Sequence, residues 1–479
     1  MTKSLQSQPK WLNKILPLLF VLFGLLLFLR LGRDPLYDWD EAIYGQLGRE
    51  LIDYGNIWTN SYNSNLWFEK PPGISWVAGL GLTFFGGEFG ARFAMPIFAA
   101  LTLYGIYLIG KKLSSWIMGL ISAGILGTLG LFLDRSRALN TDMPLLLGIV
   151  STCVVLLFDL SPIFLALTIS FSIWFKGVAG LLAVLISLPL LLTKGKKYLT
   201  SSAILTSLLL IPWHLYSYLK YRNDFISPYF LEQVVARVTN PIEFHLESRY
   251  YYLNFLYENL GIGVILVAIL GGYFVLCQYL RSRSAQDLLV LWWLIIPILV
   301  FTLARTRLFW YILPVYPAVS LLCGYAITYF ANSKQARKVI AILAIGIFAQ
   351  SLLSAYRYVD YPRSTPTTTN QLTVVRALST ISSDPLVVLV SPSERVAEAI
   401  LPESQRISSS FRYGGSPSTL YYYQNQVIFF YNTDYFQAYL NDHPDGVIML
   451  VRDDLSLLDP EYQIVSESGD YLGVKKEAK

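Results

Sequence analysis

The sequence predicts an α-helical integral membrane protein with a small α/β domain at its C-terminal end. Three observations predict it. The 479 residues are 54% hydrophobic and only 14% charged, against roughly a quarter charged in soluble domains. Apolar runs near membrane-spanning length recur from residue 12 to residue 356. Beyond residue 357 the composition turns to short β-rich runs separated by helical patterns.

The apolar runs lie at 12–31, 90–110, 116–133, 143–160, 162–175, 178–193, 198–219, 260–280, 288–304, 308–330 and 339–356. They give about eleven spans, several shorter than an average crossing. A first helix without a small-residue cleavage site is expected to stay uncleaved. The stretch 73–86, broken by Gly79, Gly81 and Gly86, predicts a helix lying in the interface or re-entering. Lys111-Lys112, Lys194 with Lys196-Lys197, Arg281 with Arg283, and Lys334 with Arg337-Lys338 fall in alternate connections. The positive-inside rule makes that side and the N-terminus cytoplasmic. The net charge of +5 is absorbed by this bias and calls for no nucleic-acid partner. The outer side then receives 32–89, 134–142, 176–177, 220–258, 305–307 and the chain after 357.

Residues 1–356 thus form a multi-span domain with large outer loops at 32–89 and 220–258, and residues 357–479 an extracytoplasmic α/β domain. In the latter, 386–390, 427–430 and 446–451 read as strands, and 370–381 and 434–441 as helices. Gly414-Gly415 marks a turn and no phosphate cradle. Cys153, Cys277 and Cys323 sit in apolar runs, which predicts neither disulfides nor a zinc site.

The chemistry concentrates in Asp38-Trp39-Asp40-Glu41-Ala42-Ile43-Tyr44 and Phe68-Glu69-Lys70-Pro71-Pro72. Acids suit a helix N-terminus, so one of the pair Asp40 and Glu41 is expected to cap the helix that follows. With Asp38 also available for capping, Asp40 is left to serve as general base toward an acceptor hydroxyl. Glu69 and Lys70 either neutralise each other in a stiff turn or use the rigid prolines to present Lys70 to a phosphate. Thr141 or Asp142 caps the helix before Pro144, or Asp142 is a second acid of the site paired with Lys176 or a nearby arginine. The outer cations Arg135, Arg137, Lys176, Arg305 and Arg307 are snorkelling anchors or a cluster suited to a headgroup-level phosphate, the reading we favour. His245 beside Glu243 is read as hydrogen-bonded structure in preference to a metal ligand. Tyr250-Tyr251-Tyr252 belong to an interfacial aromatic belt, and Tyr311 near a helix start can reach a phosphate oxygen.

These motifs, in this order, resemble the membrane glycosyltransferases of the GT-C type. Asp40-Glu41 with Tyr44, Phe68 to Pro72, Thr141 to Pro144, Phe175-Lys176-Gly177, His245 before the tyrosines, and Arg305-Thr306-Arg307 to Tyr311-Ile312-Leu313-Pro314 carry the likeness over 32–330. The kin are the aminoarabinose transferases of lipid A and the protein O-mannosyltransferases (glycosyltransferase family 39). The resemblance implies a GT-C-like fold and a polyprenyl-phosphate-linked sugar donor. It implies transfer to a lipid, glycan or protein acceptor on the outer face of a bacterial plasma membrane. It makes Asp40, Glu41 and Asp142 the catalytic acids, and Lys70, Arg249 and Tyr311 ligands of the donor phosphate. Tyr44, Glu69, Arg137, Lys176, His245, Arg305 and Arg307 support them. No metal ligands are assigned, and metal dependence stays open. Ile43 stands where the aminoarabinose transferases commonly place an arginine, which leaves the sugar and acceptor open.

Direct displacement by an Asp-activated acceptor inverts the anomeric centre. A lipid-linked-oligosaccharide polymerase or ligase is the nearer alternative, using the same donors and outer cations. A secondary transporter is more remote, since its charges tend to gather near the midplane. A non-catalytic sensor leaves the Asp40 and Lys70 motifs unexplained.

Overall fold

Helices dominate because the apolar runs have no other way to satisfy their backbone groups in lipid. The computed structural model describes residues 10–37, 39–240, 247–331, 333–361, 366–393, 395–396 and 416–476. The membrane part begins with α1 (Lys10–Phe28), α2 (Asp40–Tyr54), the hairpin β1–β2 (Asn60–Tyr62 and Asn65–Trp67), α3 (Gly73–Phe85) and α4 (Gly87–Arg92). It continues with α5 (Ala94–Leu113), α6 (Trp116–Leu126), α7 (Gly130–Arg135), α8 (Asp142–Leu157), α9 (Pro162–Lys176), α10 (Leu182–Leu191) and α11 (Lys196–Tyr221). The loop beyond holds α12 (Asn223–Ile226), a π-helix at Ser227–Ala236, α13 (Arg237–Thr239) and α14 (Tyr251–Leu260). Then come α15 (Ile262–Ser282), α16 (Ala285–Leu303), a 3-10 turn at Phe309–Val315 leading into α17 (Tyr316–Tyr329), and α18 (Lys334–Tyr358). Each of the eleven apolar runs read from the sequence therefore has its helix.

Seven helical stretches among the described residues are long and apolar enough to cross a membrane, Pro162–Leu191 being one of them. That stretch turns back on itself. Lys176, at the end of α9, pairs with Asp142 at the start of α8, whereas Lys194, beyond α10, pairs with Asp159 past the end of α8. The reversal occurs at Gly177, whose φ of 57° is one that other residues rarely adopt. The two runs expected at 162–175 and 178–193 are thus two antiparallel arms.

The helix ends sort into two sets. At one, Arg137 donates to the carbonyls of Leu27 and Leu29, Tyr358 to Asp134, and Arg237 to Tyr311. At the other, Lys112 lies over the Phe158 ring and the Tyr198 hydroxyl donates to Leu160 O. The lysine-rich connections and the acid-bearing ones therefore occupy opposite ends.

The C-terminal part holds α19 (Pro366–Ile381), β3 (Leu386–Leu389), α20 (Pro417–Tyr423), β4 (Val427–Phe430), α21 (Thr433–Asp442), β5 (Val447–Val451), β6 (Tyr462–Ser468) and β7 (Tyr471–Lys476). Its five-stranded sheet runs β4-β3-β5-β7-β6, with β3 parallel to β4 and β5, and β7 antiparallel to β5 and β6. The three expected strands are its parallel core, β3 and β5 fully buried and β4 partly so. The β6–β7 hairpin was not expected, because β6 is polar and largely exposed. Gly414-Gly415 lie outside the described residues.

Candidate active site

The site is built around the start of α2. Trp39, just before Asp40, has a φ of 66°, a strained conformation for a bulky residue that persists only where its surroundings fix it. They do. The Glu41 carboxylate accepts from Arg92 Nε at 2.8 Å and Leu139 N at 2.7 Å on one oxygen. On the other it accepts from Arg92 Nη2 at 2.7 Å and Tyr37 N at 2.8 Å. Arg92 also donates to the carbonyls of Leu31, Asp34 and Pro35, stitching down the chain before α2. Both partners are buried. The Glu41 oxygens, expected among the catalytic acids, are committed to these structural partners; none of them is a first-turn N–H group of α2, so Glu41 does not cap that helix as one of the acid pair was expected to. Asp38 lies outside the described residues.

Asp40 is left to face the cluster, half-buried. Its strongest charged neighbour is Lys70, followed by Asp142, Arg135 and Lys176. Lys70 in turn feels Glu69, Asp40, Arg237 and Lys176. The hairpin β1–β2 delivers Lys70, and its Nζ stands 5.3 Å from the Tyr44 ring centroid and 5.9 Å from that of Trp67. Both groups lie in the 32–89 connection, outside the spans. Burial pushes the Asp40 carboxyl above its ordinary value, with Lys70 opposing. Burial pulls the Lys70 ammonium down, with Glu69 and Asp40 opposing. Burial and Asp40 push the Tyr44 phenol well up, so it stays neutral.

The other elements close around this pair. Asn140 Oδ1 accepts from the backbone N–H groups of Asp142 and Met143 at 2.9 and 2.8 Å, capping α8. The expected cap Asp142 is thereby free for the site, where it pairs with Lys176, its Oδ2 buried without a hydrogen-bond partner, and the expected cap Thr141 makes no side-chain bond to the start of α8. Lys176 Nζ lies 5.1 Å from the Tyr311 ring centroid, and Arg237 Nη1 donates to the Tyr311 hydroxyl at 3.4 Å. Gln233, on the π-helix, donates to Glu69 at 2.8 Å. The Arg135 guanidinium sits 4.9 Å over the Trp310 ring while its Nε meets Asp134 at 2.9 Å.

Several expected residues stand elsewhere. Arg137 is buried against the carbonyls of Leu27, Leu29 and Arg30, where it terminates α1 as a cap and not as a phosphate ligand. Arg307 likewise donates to the carbonyls of Glu247 and Thr302, the latter in the last turn of α16. Arg305 and Arg249 are exposed, outside the set of charges around Asp40 and Lys70. Arg237 is the arginine that meets Tyr311. It is brought to Tyr311 by the pairing of Arg305 N with Val238 O and of Thr306 N with Arg237 O, at 3.2 and 3.1 Å. No local motif signals this. His245 and Glu243 lie outside the described residues.

Residues 69–216 match the family model described as dolichyl-phosphate-mannose-protein mannosyltransferase. In fold the chain is similar to ArnT from Cupriavidus metallidurans bound to undecaprenyl phosphate, with a TM-score of 0.73 over 98% of each chain at 16% identity. This chain has the GT-C fold. Archaeal oligosaccharyltransferase AglB from Archaeoglobus fulgidus is a second GT-C neighbour, with a TM-score of 0.60 over 93% of this chain and 70% of that one at 14% identity. In sequence, the undecaprenyl phosphate-alpha-4-amino-4-deoxy-L-arabinose arabinosyl transferase 2 of Pseudomonas fluorescens is 27% identical over 360 residues, covering 71% of this chain and 61% of that one. The corresponding transferase of Pseudomonas aeruginosa is 27% identical over 336 residues, covering 65% and 59%. The chain thus spans about three fifths of the length of these curated relatives. It is an integral membrane protein with the GT-C fold, similar in sequence to the aminoarabinose and mannosyl transferases.

Proposed function

We propose that this protein is a glycosyltransferase that moves a sugar from a polyprenyl-phosphate carrier to a hydroxyl of a lipid, glycan or protein acceptor, with inversion. The observation that carries the reading is the opposition of Asp40 and Lys70 in a half-buried site, beside the Arg237–Tyr311 contact. The relatives named for undecaprenyl-phosphate-linked aminoarabinose and dolichyl-phosphate mannose support the donor class.

The chemistry balances on these residues. The acceptor oxygen attacks the anomeric carbon and its proton passes to Asp40. The bond from that carbon to the phosphate oxygen breaks, and the carrier leaves as a phosphate monoester with one more negative charge. Lys70, Arg237 and the Tyr311 hydroxyl meet that growing charge, so they bind the transition state better than the diester. Asp142 pairs with Lys176 at the edge of the site, which places the Lys176 ammonium beside the Tyr311 ring. The acid-bearing end faces outward across a bacterial plasma membrane and the lysine-rich end faces the cytoplasm.

Purified protein supplied with an undecaprenyl-phosphate-linked pentose or hexose and an extract of envelope lipids and glycans is expected to release undecaprenyl phosphate. Mass spectrometry of envelope lipids and glycoconjugates from a deletion strain then identifies the product that disappears. Use of a pyrophosphate-linked oligosaccharide in place of the monophosphate donor replaces this reading with a ligase.

A further inference from the structure

The C-terminal domain rests on the same helix that begins with Asp40. Every residue of α20 is buried. The Tyr422 hydroxyl accepts from Leu36 N at 2.6 Å and donates to Glu88 Oε1 at 3.0 Å, and Glu88 also accepts from Arg376 Nη2 at 3.0 Å. The Arg49 guanidinium lies 4.0 Å over the Tyr421 ring and donates to the Tyr421 carbonyl. The Asn63 side chain, at the tip of the β1–β2 hairpin, donates to Val427 O at 2.7 Å and accepts from Val427 N at 3.2 Å. One domain thus holds the segment before α2 at Leu36, the back of α2 and the hairpin that delivers Lys70.

The contact is close enough to set a position. A Cβ at Gly45 would lie 2.5 Å from Leu36 Cδ1 and 3.0 Å from Tyr421 Cε2. On a helix of 3.6 residues per turn, Asp40 and Tyr44 share one face while Gly45 and Arg49 fall on another, well over 90° round. The site therefore lies on one side of α2 and the C-terminal domain on the other. A helix is stiff, so what displaces Gly45 or Arg49 displaces Asp40.

We propose that the C-terminal domain is a working part of the active site, and that Tyr422 and Arg49 are positioning residues that hold Asp40 opposite Lys70. The proposal rests on the reading of Asp40 as the base. Misplacing a reacting group by about 1 Å costs on the order of a hundredfold in rate. The phosphate ligands Lys70, Arg237 and Tyr311 all lie outside α2, and neither Tyr422 nor Arg49 hydrogen-bonds to the hairpin before Lys70, so donor-lipid binding stays untouched by their replacement.

The test measures turnover, binding of bare undecaprenyl phosphate and thermal midpoint on the full chain in detergent, for Tyr422→Phe, Arg49→Gln and the double variant. Tyr422→Phe removes one oxygen and keeps the packing, so it is the variant to read where the double variant does not fold. The expected result is a roughly tenfold loss of turnover in each single variant and roughly a hundredfold in the double, with undecaprenyl phosphate affinity within about twofold of wild type. Wild-type turnover in the folded variants overturns the proposal. So does a parallel loss of turnover and lipid binding, which would make the contact general scaffolding. Failure of the underlying reading shows first in the wild-type protein, which would then neither bind undecaprenyl phosphate nor release it from the sugar-loaded donor.

Discussion

At Asp40, burial and charge pull in opposite directions. Burial raises the carboxyl and Lys70 lowers it, with a net upward shift. Lys70 moves the other way, downward. A base must be deprotonated and a phosphate ligand charged, so turnover rises with pH through an acid limb above the ordinary carboxylate range. It falls again through a limb below the ordinary lysine value of about 10.4. Asp40→Asn is expected to abolish turnover in folded protein that still binds undecaprenyl phosphate, since the amide keeps the shape but takes no proton. Residual turnover retaining the acid limb would assign that limb to another group. The phosphate ligands give a second prediction. A charge-assisted hydrogen bond contributes about 1.5–3 kcal/mol, and about 1.4 kcal/mol is tenfold in affinity. Arg237→Ala should therefore weaken undecaprenyl phosphate binding roughly ten- to a hundredfold, Tyr311→Phe less, and Arg249→Ala by less than about twofold. A large loss at Arg249 with none at Arg237 would restore the assignment read from the sequence. That assignment relied on nearness along the chain to His245, whereas Arg237 reaches Tyr311 through the pairing of two loops far apart in sequence.

Among the elements, α2 shows what a pattern can and cannot reveal. That acids gather at the start of α2 is readable from residue types, and so is the stiffness of Lys70-Pro71-Pro72. Which acid does which task is decided by Arg92, an arginine at the end of an unremarked short helix. Glu41 and Arg92 form a buried pair with all four carboxylate lone-pair contacts used. Removing one member of such a pair leaves an uncompensated charge and costs roughly 3–5 kcal/mol. Glu41→Gln and Arg92→Met are therefore expected to lower the thermal midpoint and the yield of folded protein, while Asp40→Asn changes neither. A Glu41→Gln protein as stable as wild type but inactive would return Glu41 to the chemistry. The hairpin β1–β2 was similarly hidden. Its turn, Asn63-Ser64, has two residues with positive φ and no glycine, and its backbone N–H groups are taken by Glu50 at 2.6 and 3.2 Å, a partner thirteen or fourteen residues earlier in the chain.

For the whole molecule, what the chain reveals best is which ends belong together. Hydropathy finds the eleven helical arms, and lysine and arginine placement sorts their connections, because both depend on composition alone. The ion pairs at the two ends of α8 agree with that sorting, Asp142–Lys176 lying at one and Asp159–Lys194 at the other. The docking of the C-terminal domain is of another kind. It depends on single hydroxyls and one glycine, Tyr422 and Gly45, that no period or composition singles out. The sidedness itself is a prediction of the positive-inside rule. Single cysteines at the accessible positions Gly195, Arg283 and Gln335 should react only with reagent admitted to the cytoplasm, and those at Asn56, Thr239 and Asn425 with impermeant reagent added outside. Cys153 and Cys323 are buried and silent, but the partly accessible Cys277 must first be replaced by serine. Asn56 and Asn425 carry the most weight, since one reports the loop of Asp40 and the other the domain that packs on it. Labelling of these two from opposite sides would break the contact between α20 and α2. Labelling of both from the cytoplasm would invert the molecule and remove the outer-face reaction. Labelling of both from outside, with Gly195 protected until the membrane is opened, is the outcome the charge distribution requires.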